Sequence, residues 1–173
     1  MKVIANSGPI IALAKLGLLS LLKELYGTVV IPSTVYHEVV IKGLQRGEED
    51  AQDVNLAINL GYIKVEYIDE SIISEEINEL PVHNGEKSVI ELYLKMKADL
   101  ALLDDRLARD SAKKLGVTVK GTLGVIIDAY RKKLLNENEV ELLFKEILSR
   151  DDIWIGKGLV NKVWNELRKE LKK

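Results

Sequence analysis

Residues 2–15 read KVIANSGPIIALAK, in which a short apolar run, a polar turn and a helical pattern follow one another directly. The run up to Ala5 predicts a buried strand, and the Ser-Gly-Pro after it is typical of a turn that leads into a helix. Residues 100–115, LALLDDRLARDSAKKL, repeat this arrangement, with Asp104 and Asp105 between the apolar run and the helical pattern. Strands that feed directly into helices are the units from which parallel sheets are built.

The same alternation extends along the rest of the chain. Further short apolar or β-branched runs predict strands near residues 28–31, 62–68 and 117–119. Helical patterns separate them, among them one opened by Pro32-Ser33 and one for which Asn84 is the expected N-cap. We therefore predict a single α/β domain over residues 1–173, with a parallel sheet in a core of about 1–134 and two helices appended over about 135–173.

The composition excludes several classes of protein. The chain has 25 Lys and Arg against 27 Asp and Glu, a net charge of −2, with 47% apolar residues and no Cys. Such a chain can bury a full core, and any nucleic-acid binding must come from local patches. The absence of Cys excludes disulfides, zinc ribbons and thiol catalysis, so that a metal would be held by oxygen. Charges interrupt the most hydrophobic stretch, residues 8–25, which predicts a cytoplasmic protein without a transmembrane helix or a signal peptide.

Polar residues stand where two of the predicted strands end. Asn6 follows the first strand, and Asp104 and Asp105 follow the strand at 100–103. Parallel sheets bind their ligands beyond the carboxyl ends of the strands, so these side chains are expected on one edge. Two glutamates add to this set: Glu86 shares a helical face with apolar residues, and Glu38 borders the apolar stripe of its own helix.

A convergence of Glu38, Glu86 and Asp104 with Asn6 would need a cation. Two carboxylates 4 Å apart repel by about 4 kcal/mol at an effective dielectric constant of 20. Hard oxygen ligands without Cys select Mg²⁺ or Mn²⁺, which bind phosphates and activate water. The chemistry that this set predicts is hydrolysis of a phosphodiester.

Each of these residues also has an ordinary structural interpretation. Asn and Asp often end strands, and Asp105 would cap the helix after it. Glu86 would complement the dipole of its helix, and Glu38 would be a solvated edge residue. Arg106 and Arg109 would guide RNA to the edge or pair with nearby aspartates, and the helix start at Thr122 would offer N–H groups to a phosphate without the Lys of a P-loop.

Five stretches together resemble the PIN-domain superfamily and, within it, the PIN-like group DUF3368. They are VIANSGPIIALAKLG, VVIPSTVYHEVV, HNGEKSVIELYL, LALLDDRLARDSAKKLGV and VKGTLGVIIDAY, in order from about residue 3 to residue 134. The resemblance implies a three-layer α/β/α fold with a central parallel sheet. It also implies a metal-dependent ribonuclease of the kind found as the toxin of VapBC-type toxin–antitoxin pairs, with RNA as substrate, an antitoxin protein as partner and frequent homodimers.

Carried over residue by residue, the resemblance assigns the metal site to Asn6, Glu38, Glu86 and Asp104, with Asp105 as an extra carboxylate. The chain departs from the family pattern at two positions. Asn6 replaces an aspartate, and Gly8 stands where many members have a Ser or Thr close to the metal. An Asn oxygen can coordinate Mg²⁺, but it supplies no charge and cannot act as a base.

Two hypotheses of different class follow. The first is an active or weakened ribonuclease dependent on Mg²⁺ or Mn²⁺. The second is a PIN-fold module without useful catalysis, which binds RNA or a protein. A third interpretation, with Asp104 as a phosphoryl acceptor, explains neither Glu38 nor Glu86.

Overall fold

The computed structural model describes residues 1–171, apart from the side chains of residues 70 and 171. Residues 172 and 173 of the predicted domain lie outside the described residues. The chain is divided into two compact units, one from Met1 to Thr122 and one from Leu123 onward. Among residues 1–171, no helix combines the length and the apolar character that a membrane span needs.

A five-stranded parallel sheet forms the centre of the first unit, in the order β3-β2-β1-β4-β5. The three central strands are largely or wholly buried, as their continuous apolar runs require, whereas the edge strand β3 is mostly exposed. The strands are β1 (Val3–Ala5), β2 (Val29–Pro32), β3 (Ile63–Glu66), β4 (Leu100–Leu102) and β5 (Val119–Lys120). With helices flanking this sheet, the predicted three-layer α/β/α fold is confirmed.

Helices connect the successive strands of the first unit. Those before β3 are α1 (Ser7–Lys15), α2 (Ser20–Tyr26), α3 (Ser33–Tyr36), α4 (Gly43–Arg46) and α5 (Glu49–Asn59). Those after β3 are α6 (Glu75–Asn78), α7 (Asn84–Met96) and α8 (Arg106–Lys114). A π-helical segment, His37–Lys42, joins α3 to α4 without a break, and a 3₁₀ turn spans Glu70–Ile72.

Two local predictions were wrong in detail. The fifth strand lies two residues later than the predicted start at Val117. Finally, His83 is the N-cap of α7 and Asn84 is its first helical residue, because Glu86 satisfies the backbone N–H of His83.

The described part of the second unit, up to residue 171, is built from helices. α9 (Thr122–Arg131) starts at the last residue of the first unit and is followed by α10 (Glu137–Ser149) and α11 (Lys157–Leu171). Phe144 of α10 is fully buried, and its ring centroid lies 5.1 Å from that of Trp164 on α11. Two amphipathic C-terminal helices were predicted, and the structure contains both of them.

Candidate metal and substrate site

Strands β1 and β4 bring Asn6 and Asp104 to the same edge of the sheet. The two strands are parallel neighbours, with Ala5 opposite Leu102, so the residues that follow them leave the sheet side by side. The pairing extends one residue further, because the backbone N–H of Asn6 donates to the carbonyl oxygen of Leu102 at 3.0 Å. The predicted position of both polar residues at one edge follows directly from this register.

The side chains of Asn6 and Glu38 both approach Gly85. A Cβ atom built on Gly85 would lie 3.2 Å from Asn6 Oδ1 and 3.8 Å from Glu38 Oε2, so both oxygens border the same small space. Asn6 is 8% exposed, and its Oδ1 has no hydrogen-bond partner among the described residues. A buried acceptor without a partner carries a desolvation cost, which a bound cation or water would offset.

The π-helical segment carries Glu38 to this position. Strand β2 is followed by α3, and α3 is followed directly by the π-helical segment. Glu38 is the second residue of that segment. A π-helical turn is wider than an α-helical one, occurs rarely and is frequent at functional sites. No pattern in the sequence predicted it.

Glu86 lies at the first turn of α7, close to two other acids. Its Oε2 accepts a hydrogen bond from the backbone N–H of His83 at 2.8 Å. Burial raises the pKa of the Glu86 carboxyl; the His83 hydrogen bond opposes this rise, and the charges of Asp105 and Glu38 add to it. Glu86 therefore caps its helix and also belongs to a group of like charges.

Asp104 is held by Thr122, eighteen positions later in the chain. Thr122 donates its backbone N–H to Oδ1 at 2.7 Å and its hydroxyl to Oδ2 at 2.6 Å. Burial raises the pKa of Asp104. The hydrogen bonds from Thr122 and the positive charge of Arg109 lower it and so offset part of this rise. Thr122, for which a contact with a nucleic acid was predicted, is itself fully buried.

The remaining predicted residues lie on α8. Asp105 is the N-cap of this helix and accepts the backbone N–H of Ala108 at 2.8 Å, as one of its two interpretations required. Arg106 lies 3.8 Å from Asp110 in an exposed i,i+4 pair, whereas the charge of Arg109 acts on Asp104. The two arginines therefore differ in their surroundings although they lie three residues apart.

The oxygen donors at this edge are of the kind that Mg²⁺ and Mn²⁺ prefer. Asn6 Oδ1 is buried without a partner, and Glu38 borders the same space, which fits a hard cation. In residues 1–171, however, no three His, Cys, Asp or Glu side chains form a group that could hold a metal ion. Glu86, Asp104 and Asp105 each already accept one backbone N–H. The oxygen donors therefore match a hard cation in chemical type, although the described side chains form no complete metal-holding group of carboxylates.

Two glycines at the site, Gly85 and Gly121, were not recognised from the sequence as spatial requirements. Gly85 leaves open the space between Asn6 and Glu38, and Gly121 allows Asp104 to approach the backbone before α9. Gly8 also borders Asp104, but a Cβ atom built there would lie 3.7 Å from its Oδ2, an ordinary contact distance. Each glycine is within two residues of a predicted site residue, which is the signal that would have drawn attention to them.

A comparison with protein families decides the relationship of this chain. The family model DUF3368, described as a PIN domain, matches residues 2–169. The chain belongs to this PIN-domain family. The match places it in the superfamily of PIN-type nucleases and covers sequence from both compact units. No curated protein matches the chain.

Proposed function

We propose that this PIN domain is a ribonuclease dependent on Mg²⁺ or Mn²⁺, weakened by Asn6 in place of the first aspartate. The observation that carries the proposal is the buried Oδ1 of Asn6, which lacks a partner and borders the same space as Glu38 Oε2. A structure stable without a ligand seldom leaves such an acceptor unsatisfied. The family membership supports the same chemistry.

In this proposal four side chains would hold the cation, those of Asn6, Glu38, Glu86 and Asp104. Asp105 would contribute its negative charge. When bound, a divalent cation polarises the phosphodiester and makes water a stronger nucleophile. Glu38 and Asp105 place negative charge near Glu86, which favours a cation over an empty site. Arg109, close to Asp104, would bind a phosphate oxygen of the RNA through its guanidinium group.

The test is cleavage of a labelled single-stranded RNA by the purified chain in Mn²⁺ and in EDTA. Wild type is compared with Glu38→Gln and with the control Glu24→Gln, which removes the same charge from an exposed position on α2. We expect cleavage by wild type and by the control in Mn²⁺, none in EDTA, and a loss of at least about a hundredfold for Glu38→Gln. Equal rates for wild type and Glu38→Gln would contradict the proposal.

A second function, an RNA-binding or protein-interaction module without catalysis, has an observation of its own in its favour. Within residues 1–171 no three acidic or His side chains form a metal-holding group, and Asn6 brings no charge. Both forms of this function predict that wild type leaves the RNA intact in Mn²⁺, and the RNA-binding form also predicts that the RNA is bound equally well in EDTA. The cleavage experiment therefore separates the two functions.

The wider biological role rests on the family resemblance alone. A toxin activity, an antitoxin partner and a homodimer stay predictions from that resemblance. A cytoplasmic location stays a prediction from the hydrophobicity of the sequence. Gel filtration with light scattering tests the dimer, and growth assays with and without the neighbouring gene test the toxin role.

A further inference from the structure

Thr122 donates a hydrogen bond to each carboxylate oxygen of Asp104. Its backbone N–H and its hydroxyl donate to different carboxylate oxygens, at 2.7 and 2.6 Å. We infer that Thr122 is a positioning residue, which fixes the orientation of Asp104 for a divalent cation and does not itself contact cation or RNA. This inference rests on the proposed function, because it gives Asp104 a cation to bind.

The surroundings of Thr122 exclude direct contact with a ligand. The residue is fully buried, so an effect on metal or RNA must pass through Asp104. Metal-binding carboxylates are commonly oriented by hydrogen bonds from residues behind them, whose loss weakens metal binding. Thr122 stands in that relation to Asp104.

The two hydrogen bonds from Thr122 leave Asp104 able to bind a cation. An ionised carboxylate has about four lone-pair sites, two on each oxygen, and Thr122 uses one on each. A second lone pair on each oxygen therefore remains available for a cation. The hydrogen bonds keep the carboxylate from rotating, so these lone pairs keep a fixed direction. A single hydrogen bond would fix one oxygen and let the other move.

Glycines on both sides confine the same carboxylate. A Cβ atom on Gly121 would lie 2.8 Å from Asp104 Oδ1, closer than side-chain carbons approach, and 3.2 Å from Arg109 Nη1. On Gly8 a Cβ would lie 3.7 Å from Asp104 Oδ2, an ordinary contact distance. Asp104 is thus packed closely against the Gly121-Thr122 backbone at Oδ1, whereas Gly8 borders its Oδ2 without crowding it.

The test compares Thr122→Val with Thr122→Ser. Valine keeps the shape and the backbone N–H and loses the hydroxyl bond to Oδ2, whereas serine keeps both donors. We expect Mn²⁺ binding, measured by calorimetry, to weaken roughly 10- to 100-fold in Thr122→Val and to stay close to wild type in Thr122→Ser. Thermal unfolding in EDTA reports whether each variant is folded.

A second variant keeps the inference testable if Thr122→Val does not fold. Gly121→Ala retains the Thr122 hydroxyl but crowds Asp104 Oδ1, so it should also weaken Mn²⁺ binding. Folded variants with wild-type Mn²⁺ affinity would overturn the inference and leave the proposed function intact. A wild type that binds no Mn²⁺ would overturn both. Loss in Thr122→Val with recovery in Thr122→Ser supports positioning, because a purely structural role would change the unfolding temperature and leave the affinity unchanged.

Discussion

Glu86 Oε2 lies 2.8 Å from the backbone nitrogen of His83, so a predicted metal ligand also caps helix α7. The cap satisfies an N–H group at the helix start, and the carboxylate adds favourable charge near the positive end of the helix dipole. Both interpretations of Glu86, as a structural residue and as a site residue, are therefore compatible with one geometry.

Replacing Glu86 by Gln or by Ala should separate these two roles. Gln retains an oxygen acceptor for the His83 N–H, so Glu86→Gln should keep the stability of the apo protein or raise it slightly by removing a buried charge. Ala loses the cap and should lower the free energy of unfolding by about 1 kcal/mol. Urea unfolding in EDTA measures both values, and Mn²⁺ binding should weaken in both variants. Equal destabilisation by Gln and Ala would contradict the capping role.

Asn6→Asp should strengthen metal binding and destabilise the apo protein. The new carboxylate would be buried beside Glu38, where an unpaired charge is unfavourable, so the unfolding temperature in EDTA should fall. An added unit charge about 4 Å from a cation contributes several kcal/mol of attraction before desolvation, so Mn²⁺ affinity should rise roughly tenfold or more.

Asn161→Asp makes the same chemical change at an exposed position of α11 and serves as the control. It should change neither the Mn²⁺ affinity nor the unfolding temperature in EDTA appreciably. If Asn6→Asp behaves like this control, the side chain of residue 6 does not face a cation.

The stability of the apo protein should depend on pH through Glu86. Burial raises the pKa of this carboxyl above 4.5, its ordinary value, so the folded state holds the proton more tightly than the unfolded state. The resulting stabilisation is complete below the ordinary pKa and is lost as pH rises through the raised value. Acids such as Glu141, whose pKa is lowered by Lys145, act in the opposite direction, so the comparison must be between variants.

Unfolding temperatures of wild type and Glu86→Gln in EDTA, measured at a series of pH values from 4.5 upward, provide that comparison. Wild type should lose stability relative to the variant as pH rises. A difference independent of pH would mean that the Glu86 carboxyl titrates alike in the folded and unfolded states.

Arg109 and Arg106 should differ in their effect on RNA binding. Arg106 is exposed and pairs with Asp110, whereas Arg109 is partly buried and its charge acts on Asp104. We expect Arg109→Gln to weaken binding of single-stranded RNA several-fold and to lower the slope of log K against log salt by somewhat less than one. Arg106→Gln is the matched control three residues away. Equal losses in fluorescence anisotropy would indicate a general electrostatic effect.

The fold was predictable because local patterns decided it. Apolar runs such as Leu100–Leu102 have the length of buried parallel strands, and the helical stripes between them agree with the same sheet. The strand order and the register of Ala5 opposite Leu102 were not predicted, because they depend on packing between distant segments. The capping position at His83 also depended on a side chain three residues later.

The placement of Asn6 and Asp104 at one edge of the sheet was predictable, whereas their side-chain contacts were not. Asn6 and Asp104 follow neighbouring strands, and this alone brings them to one edge. Sequence patterns did not predict that Thr122 donates to Asp104, because the contact requires β5 to pair with β4, and strand order depends on packing between distant segments. The π-helical segment around Glu38 had no sequence signal either, because its sequence is also compatible with an ordinary helix.

Calorimetric titration of Mn²⁺ into wild type and into Asp104→Asn tests the central claim most directly. This variant keeps an acceptor for Thr122 and removes one charge from the site. We predict one bound Mn²⁺ per wild-type chain and a loss of affinity of at least about tenfold in Asp104→Asn. A wild type that binds no Mn²⁺, or a variant that binds it equally well, would contradict a metal site at this edge of the sheet.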